Sequence, residues 1–512
     1  MALGTTLAVC LVGLTGHLVE VEAHLAASVP GFTLVGLPDT ALAESRDRVR
    51  AAVASTGLVL PQRKVTVNLS PAALPKAGSG YDLAIAVAVL AGAGMIHREG
   101  LARTVHLGEL GLDGRVHPVR GVLPAVAAAA AAGVERVVVP AGDADEAALV
   151  PGIEVVGVRW LAEVVARYGA DVVVPDDGAR GRRPPAERAT QTVDVDLDEV
   201  VGQSAARVAL EVAAAGGHHL LMVGPPGTGK TMLAARLPGL LPALTEREAI
   251  EVTSVHSVAG TFDAAGGLLV RPPFEDPHHT ATPAAVVGGG SGTPRPGAAS
   301  RAHRGILFMD EAPEFSPRVL QTLRQPLEHG ELVIERANGS ARYPARFQLV
   351  LAANPCPCGL AIGKGLDCSC TPMARRRYFA RLSGPLLDRV DLQVEVHPVT
   401  RLDMLDGRAR EGTAVVARRV AQARAASRER LASTAWSTNS EVPGGWLRAR
   451  LGADRSLLGD LDAAMDRGTL SLRGADRVLR VAWTLADLAG RDAPCADDIG
   501  RALVLRTRGQ GL

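Results

Sequence analysis

The sequence predicts an α/β protein that ends in a helical region, and three observations carry that prediction. Between about Asp194 and His397, apolar runs such as "HHLLMV", "GILFM" and "RFQLVLAA" alternate with helical stretches, as buried parallel strands alternate with their crossovers. Each of those runs ends in a loop loaded with polar or acidic residues. Beyond about Pro398 the strands stop: "AVVARRVAQARAASRERLAS" sets Arg against Ala and Val, and "SLRGADRVLRVAWTLADLAG" runs from the cap-like Ser471 to Gly490.

At 512 residues the chain has room for about three domains of ~150 residues. Residues 1–172, short Val/Leu-rich strands among Ala-rich helices, form the first, and 173–193 a linker rich in Pro, Gly and Arg. The second spans 194–398 and the third 399–512. Hydrophobic residues make up 47% of the chain but aromatics only 3%, so its cores are built from Ala, Val and Leu. No apolar run has the character of a membrane span, and no basic region precedes the apolar N-terminal residues. Six cysteines in this length are no secreted disulfide framework, so we expect a cytoplasmic chain with no membrane partner. A net charge of +1 leaves nucleic-acid binding open, since a channel can be basic beneath a neutral exterior.

Within the second domain, "HHLLMVGPPGTGKTMLAARL" reads as strand, glycine loop and helix. Gly224, Pro225, Pro226, Gly227, Thr228, Gly229, Lys230 and Thr231 fit G-x-x-x-x-G-K-[ST], in which backbone N–H groups and a helix N-terminus surround a phosphate. Lys230 would reach the β/γ-phosphates and the Thr231 hydroxyl would ligate Mg²⁺. "GILFMDE" is an apolar strand ending in Asp310, expected in the Mg²⁺ shell, and Glu311, expected to orient or deprotonate the attacking water. "RFQLVLAAN" brings Asn354 to the next strand end as a sensor of the γ-phosphate. Three successive strand ends carrying Lys/Thr, Asp/Glu and Asn indicate an ATP- and Mg²⁺-dependent NTPase of the AAA+ kind.

"RLSGPLLDRVDLQVEV" places Arg381 and Arg389 ahead of a further strand, where either can meet a neighbouring subunit's nucleotide; Arg389 is the preferred trans-acting finger. Arg473, at a helix start, would complete the pocket from the C-terminal helices, with Arg480 as the alternative. Directly after Asn354 come Cys356, Cys358, Cys368 and Cys370, two C-x-C pairs in one short loop. Four thiolates can close a tetrahedral, structural Zn²⁺ site, although C-x-C is tighter than the usual spacing. The Arg375-Arg376-Arg377 run with Tyr378 and Phe379 can meet nucleic acid or another subunit.

The motifs "GPPGTGKTMLAARLPGLLP", "PHHTATPAAVVGGG", "PRPGAASRAHRGILFMDEAPEF", "LRQPLEHGELVIERA", "YPARFQLVLAANPCPCG", "SGPLLDRVDL" and "DRVLRVAWTLADL" together resemble the Mg-chelatase-like AAA+ ATPases of the ComM/YifB type. The resemblance runs nearly end to end. It implies a ring, as a homo-hexamer, acting in natural transformation and the branch migration of single-stranded or branched DNA. Two departures stand out: "RPPFEDPHHT" lacks the family's basic residue beside His278 and His279, and Arg301 and Arg304 flank His303 where Leu and Asn are commoner. The Gly-rich "AVVGGGSGTPRPGAAS" reads as a long irregular loop. "ELVIERANGSARYPARF" reads as a hairpin turning at Asn338-Gly339, whose Arg336 and Arg342 would either touch phosphates in a ring's pore or lie on a solvated edge.

"LPKAGSGYDLAIAVAVLAGAG" and "HLGELGLDGRVHPVRG" resemble the C-terminal domain of Lon proteases, an S5-like α/β fold. The column of the Lon serine falls on Gly80, one past Ser79, and that of its lysine on Leu123. Without a lysine to activate a serine, this domain is expected to be non-proteolytic, serving DNA binding or ring assembly. A protein-remodelling chaperone of the Mg-chelatase motor type is the alternative to the DNA motor.

Overall fold

The computed structural model describes residues 3–36, 39–74, 76–176, 195–290, 294–336, 339–361, 367–382, 384–405, 410–451 and 455–506. Most of the expected linker lies outside these residues.

The N-terminal segment builds a seven-stranded mixed sheet in the order Gly31–Val35, Lys64–Ser70, Thr15–Ala26, Leu3–Val12, Thr104–His106, Arg136–Pro140, Glu154–Val158. Leu3–Val12 and Thr15–Ala26 form a long antiparallel hairpin, while the strands from Thr104 onward add in parallel. The alternation of "LGTTLAVCLV" puts Ala8 and Cys10 into one core and Val9 into another on the opposite face. Asp82–Ala93 is apolar on every side and almost wholly buried, as its sequence requires.

The second sheet has five strands, all parallel, in the order Phe274–Glu275, Ile306–Met309, Gln348–Ala353, Leu220–Val223, Leu392–Glu395. Its three central strands are buried along their whole length, and the strand entering the phosphate loop lies between the sensor strand and the last strand. Parallel strands covered on both faces gather their loops at the carboxyl edge, where ligands of open α/β sheets bind.

The C-terminal helices Thr413–Leu431 and Leu472–Leu488 pack with Ser204–Gly216 into the core beneath this sheet. The Ser471 hydroxyl accepts the Gly474 N–H at 3.1 Å, the cap its sequence promised, and Gly490 follows the helix at φ 67°. Two expectations change. The Gly-rich stretch is not simply irregular: Gly288–Gly289 pairs antiparallel with Arg295–Pro296. The hairpin Glu331–Arg336/Gly339–Pro344 does form, but Ile334, Ala341 and Tyr343 bury one of its faces against Leu14 and Val258, so it is not a solvated edge. A hairpin with three apolar inward residues needs a cover, and Leu14 of the first β-turn and Val258 of the helix Glu246–Ala259 provide it. Asn338 and the Arg336 side chain lie outside the described part.

Candidate nucleotide site and cysteine cluster

Residues 224–229 leave the buried strand as a tight loop, with Gly227 and Gly229 at φ 76° and 86°, and enter the helix Lys230–Ala234. The Lys230 ammonium folds back into the loop, donating to the Gly224 carbonyl at 2.7 Å and the Pro225 carbonyl at 2.8 Å. It also donates to Asn354 Oδ1 at 3.3 Å. Burial pulls its pKa below the ordinary lysine value, while Asp310 and Glu311 pull it back up. The Thr231 hydroxyl donates to Asp310 Oδ2 at 2.6 Å, and Asp310 Oδ1 accepts the Glu311 N–H at 2.8 Å. Glu311 itself has φ 49°, an uncommon conformation for a side chain of its size, and is exposed. Thus Lys230, Thr231, Asp310, Glu311 and Asn354 converge on one edge of the sheet. The pairing of a threonine hydroxyl with a carboxylate beside a glycine loop fits the oxygen donors that Mg²⁺ takes.

Sequence reasoning missed two neighbours of this site. His279 Nδ1 lies 3.1 Å from Glu311 Oε2, and its ring is 4.2 Å from that of His278, so the histidine pair faces the acid pair. The motif "PHHT" is visible in the sequence, but nothing in its spacing points to Glu311. Gln203, at φ 57°, donates to the His397 carbonyl at 2.5 Å and the Thr228 carbonyl at 3.4 Å, tying the phosphate loop to the last strand.

Of the four candidate arginines, Arg389, Arg473 and Arg480 lie away from this chain's own phosphate loop. Arg389 stands at the opposite, amino edge of the sheet, ahead of Leu392, which pairs with Leu220. A four-residue strand of about 13 Å separates that edge from the phosphate loop. There Arg389 pairs with Glu328, and burial, with the charges of Arg324, Arg477 and Arg473, lowers its pKa. Arg473 and Arg480 belong to the same face: Arg480 donates to the Val442 carbonyl at 2.7 Å, and Arg473 is exposed. Within one chain Arg473 stands away from the phosphate loop, because its helix packs beneath the amino edge, where Arg477 bonds to the Arg389 carbonyl and to Asp391. Arg381 differs, donating to Glu314 at 3.0 Å just after the acid pair. Arg389, Arg477 and Arg480 line a cleft of about 740 Å³ with Arg304, Arg346 and Arg424.

Cys356, Cys358, Cys368 and Cys370 bring their sulfurs within 4.8 Å of one another, so the cluster can hold a metal ion. The Leu360 N–H, with the neighbouring thiols, brings the exposed Cys358 thiol down to about 6. From Cys370 the chain enters the helix Pro372–Ala380, capped by the Thr371 hydroxyl. Helical periodicity turns Tyr378 inward, where burial pushes its hydroxyl up to about 12, and sets Phe379 against the sheet's core. Only Arg376 and Arg377 of the basic–aromatic run are fully exposed, so Tyr378 is not available for stacking on a base.

The two family departures compensate each other. Arg301 makes three hydrogen bonds to the partly buried Glu275, the shortest 2.7 Å, and Arg304 lies 3.3 Å from Glu248 and 3.5 Å from Glu251. In the first domain, Ser79 donates to Glu109, Lys76 is buried with its ammonium on the Pro71 carbonyl, and Leu123 is wholly buried.

Comparison with known proteins places this geometry. A family model described as "Magnesium chelatase, subunit ChlI" matches residues 196–404, "Subunit ChlI of Mg-chelatase" matches 21–143, and "Magnesium chelatase, subunit ChlI C-terminal" matches 410–506. Competence protein ComM of Haemophilus influenzae is 39% identical over 496 residues, 96% of this chain and 95% of its own. YifB of Escherichia coli, an uncharacterized protein, is 38% identical over 483 residues, 94% of this chain and 92% of its own. An uncharacterized protein of Mycobacterium tuberculosis is 52% identical over 509 residues, 99% of each chain. With its α/β AAA+ core and matches spanning nearly its whole length, the chain belongs to the Mg-chelatase-like AAA+ ATPases of the ComM/YifB type.

Proposed function

We propose that this protein is an ATP-driven motor that assembles as a hexameric ring and moves branched or single-stranded DNA, as in branch migration. The observation that carries the ring is the division of the site. Lys230, Thr231, Asp310, Glu311 and Asn354 stand at one edge of the sheet, Arg389 and Arg473 at the other. The second set can meet a nucleotide only in a neighbouring copy.

In this reading Lys230 exchanges its loop carbonyls for phosphate oxygens, and Thr231 and Asp310 hold the cation. Mg²⁺, when bound, neutralises charge developing on the phosphates. Glu311 orients the attacking water and accepts its proton, with His279 fixing the carboxylate. Asn354, already bonded to Lys230, reports the γ-phosphate to the loop behind it. The partner copy's arginine stabilises charge on the transferring phosphoryl group, a contribution of about 10³-fold or more when such a finger acts in trans. The first domain is non-proteolytic: Ser79 lies against a carboxylate rather than a lysine, and the lysine column is a buried leucine. The DNA half of the proposal rests on the family resemblance and on the exposed Arg376 and Arg377. Among the described residues no helix is long and apolar enough to cross a membrane.

The test is ATP turnover by the purified protein alone, with single-stranded DNA and with a four-way junction, using Lys230→Ala as blank. Stimulation by DNA, largest with the junction, is expected. Turnover indifferent to every DNA would favour remodelling of a protein partner.

A further inference from the structure

The cysteine cluster and the phosphate loop touch. Gly359, between Cys358 and Leu360, has φ 77°, and a Cβ there would stand 2.7 Å from Pro226 Cδ and 2.9 Å from Pro226 Cγ. Pro226 lies inside the phosphate loop. Only a glycine permits both that left-handed backbone and that approach. On the other side, Cys356 follows Asn354 by two residues, and Asn354 accepts from Lys230. Beyond Cys370, the helix Pro372–Ala380 leads to Arg381, which bonds to Glu314 behind the acid pair. One knuckle is thus joined to the phosphate loop, the sensor residue and the acid-pair segment.

Three of the sulfurs have the spacing of a single-ion site, and that of Cys370 lies within 4.8 Å of each of them. Cys356 lies 3.3 Å from Cys358 and 3.6 Å from Cys368, and Cys358 lies 3.6 Å from Cys368. A regular tetrahedron with edges of about 3.6 Å has its centre about 2.2 Å from each corner, close to a Zn–S bond of about 2.3 Å. Four sulfur ligands suit Zn²⁺ and leave no open position, so the ion would be structural.

We infer that Cys356, Cys358, Cys368 and Cys370 bind one Zn²⁺ whose occupancy holds the phosphate loop in its nucleotide-binding form through the Gly359–Pro226 contact. The ion fixes the two C-x-C arms together, and the turn at Gly359 is then pressed against Pro226. Without the ion the arms are free to part, and the loop loses one wall. Metal occupancy and nucleotide affinity are therefore coupled, and each strengthens the other.

The experiment measures zinc per chain and the affinity for a fluorescent ATP analogue in four forms of the full chain. These are the wild type, the chelator-treated wild type with and without added ZnCl₂, Cys358→Ser with Cys370→Ser, and Gly359→Ala. We expect about one zinc per wild-type chain, the number that one four-cysteine site holds. Zinc removal or the double serine variant should weaken nucleotide binding about fivefold or more, the low end of ordinary coupling between sites, and ZnCl₂ should restore the chelated protein. Gly359→Ala keeps all four thiols and should retain zinc while binding nucleotide more weakly, which separates the contact from the metal. Wild-type protein without zinc would overturn the inference. So would zinc-free protein that binds nucleotide as tightly as the holo form, or Gly359→Ala with unchanged affinity. If the serine variant does not fold, the chelated wild type and Gly359→Ala decide. No readout here involves DNA, so this inference and the motor proposal fail independently.

Discussion

At Lys230 one buried ammonium is shared by two loop carbonyls and Asn354, so the loop is shaped around a charge that a phosphate can take over. Lys230→Ala should abolish both ATP binding and turnover. Glu311→Gln should keep nucleotide binding and lose turnover, by about 10²-fold or more if the carboxylate is the general base. His279→Ala removes a partner from Glu311 without touching phosphate, so steady-state kinetics should show a lower kcat with little change in KM. The phosphate loop and acid pair were legible because each is a local string whose chemistry follows from residue type and order. The His279–Glu311 contact was not, because it joins two strand ends whose adjacency only the sheet order creates. For the same reason Arg301 looked like an isolated oddity until the structure paired it with Glu275, itself part of the other oddity.

Between elements, Asp391 is the clasp that fastens the C-terminal helices to the sheet. Its carboxylate accepts from Arg477 at 2.7 Å and from the His219 N–H at 3.3 Å, and lies 3.4 Å from His218 Nδ1. Burial alone would raise its pKa, but the His218 contact and the Arg477 charge outweigh it and hold the carboxyl well below the usual range. A folded-state pKa below the unfolded value stabilises fully above the ordinary carboxylate pKa of about 4, and the gain is lost as pH falls towards the folded value. Asp391→Asn should therefore lower Tm most at neutral pH, with the gap to wild type narrowing below about pH 4. The loss at pH 7 should be about 3 kcal/mol, since the mostly buried Arg477 loses its carboxylate and keeps only the Arg389 carbonyl. The strand–helix alternation and the Ser471 cap were readable from periodicity and capping chemistry. What covers the Glu331–Pro344 hairpin was not, because its partner Leu14 lies in the first domain and contributes no local signal.

For the whole molecule, the positions of Lys230 and Arg389 at opposite sheet edges make the account one of subunit pairs. Arg389→Ala should cut turnover about 10³-fold while nucleotide binding persists. Mixing Arg389→Ala with Lys230→Ala should then recover turnover, because some interfaces join an intact phosphate loop to an intact arginine. Two inactive proteins that stay inactive when mixed would place the arginine's role within its own chain. The sequence put Arg473 at the nucleotide pocket without saying whose, because helix order carries no information about which sheet edge a helix packs beneath. The claim that all of this drives DNA is tested most directly by following a labelled four-way junction with the wild type, Lys230→Ala and Glu311→Gln in the presence of ATP. ATP-dependent movement of the junction by the wild type alone is the expected result; a wild type that hydrolyses ATP yet leaves the junction where it was would contradict it.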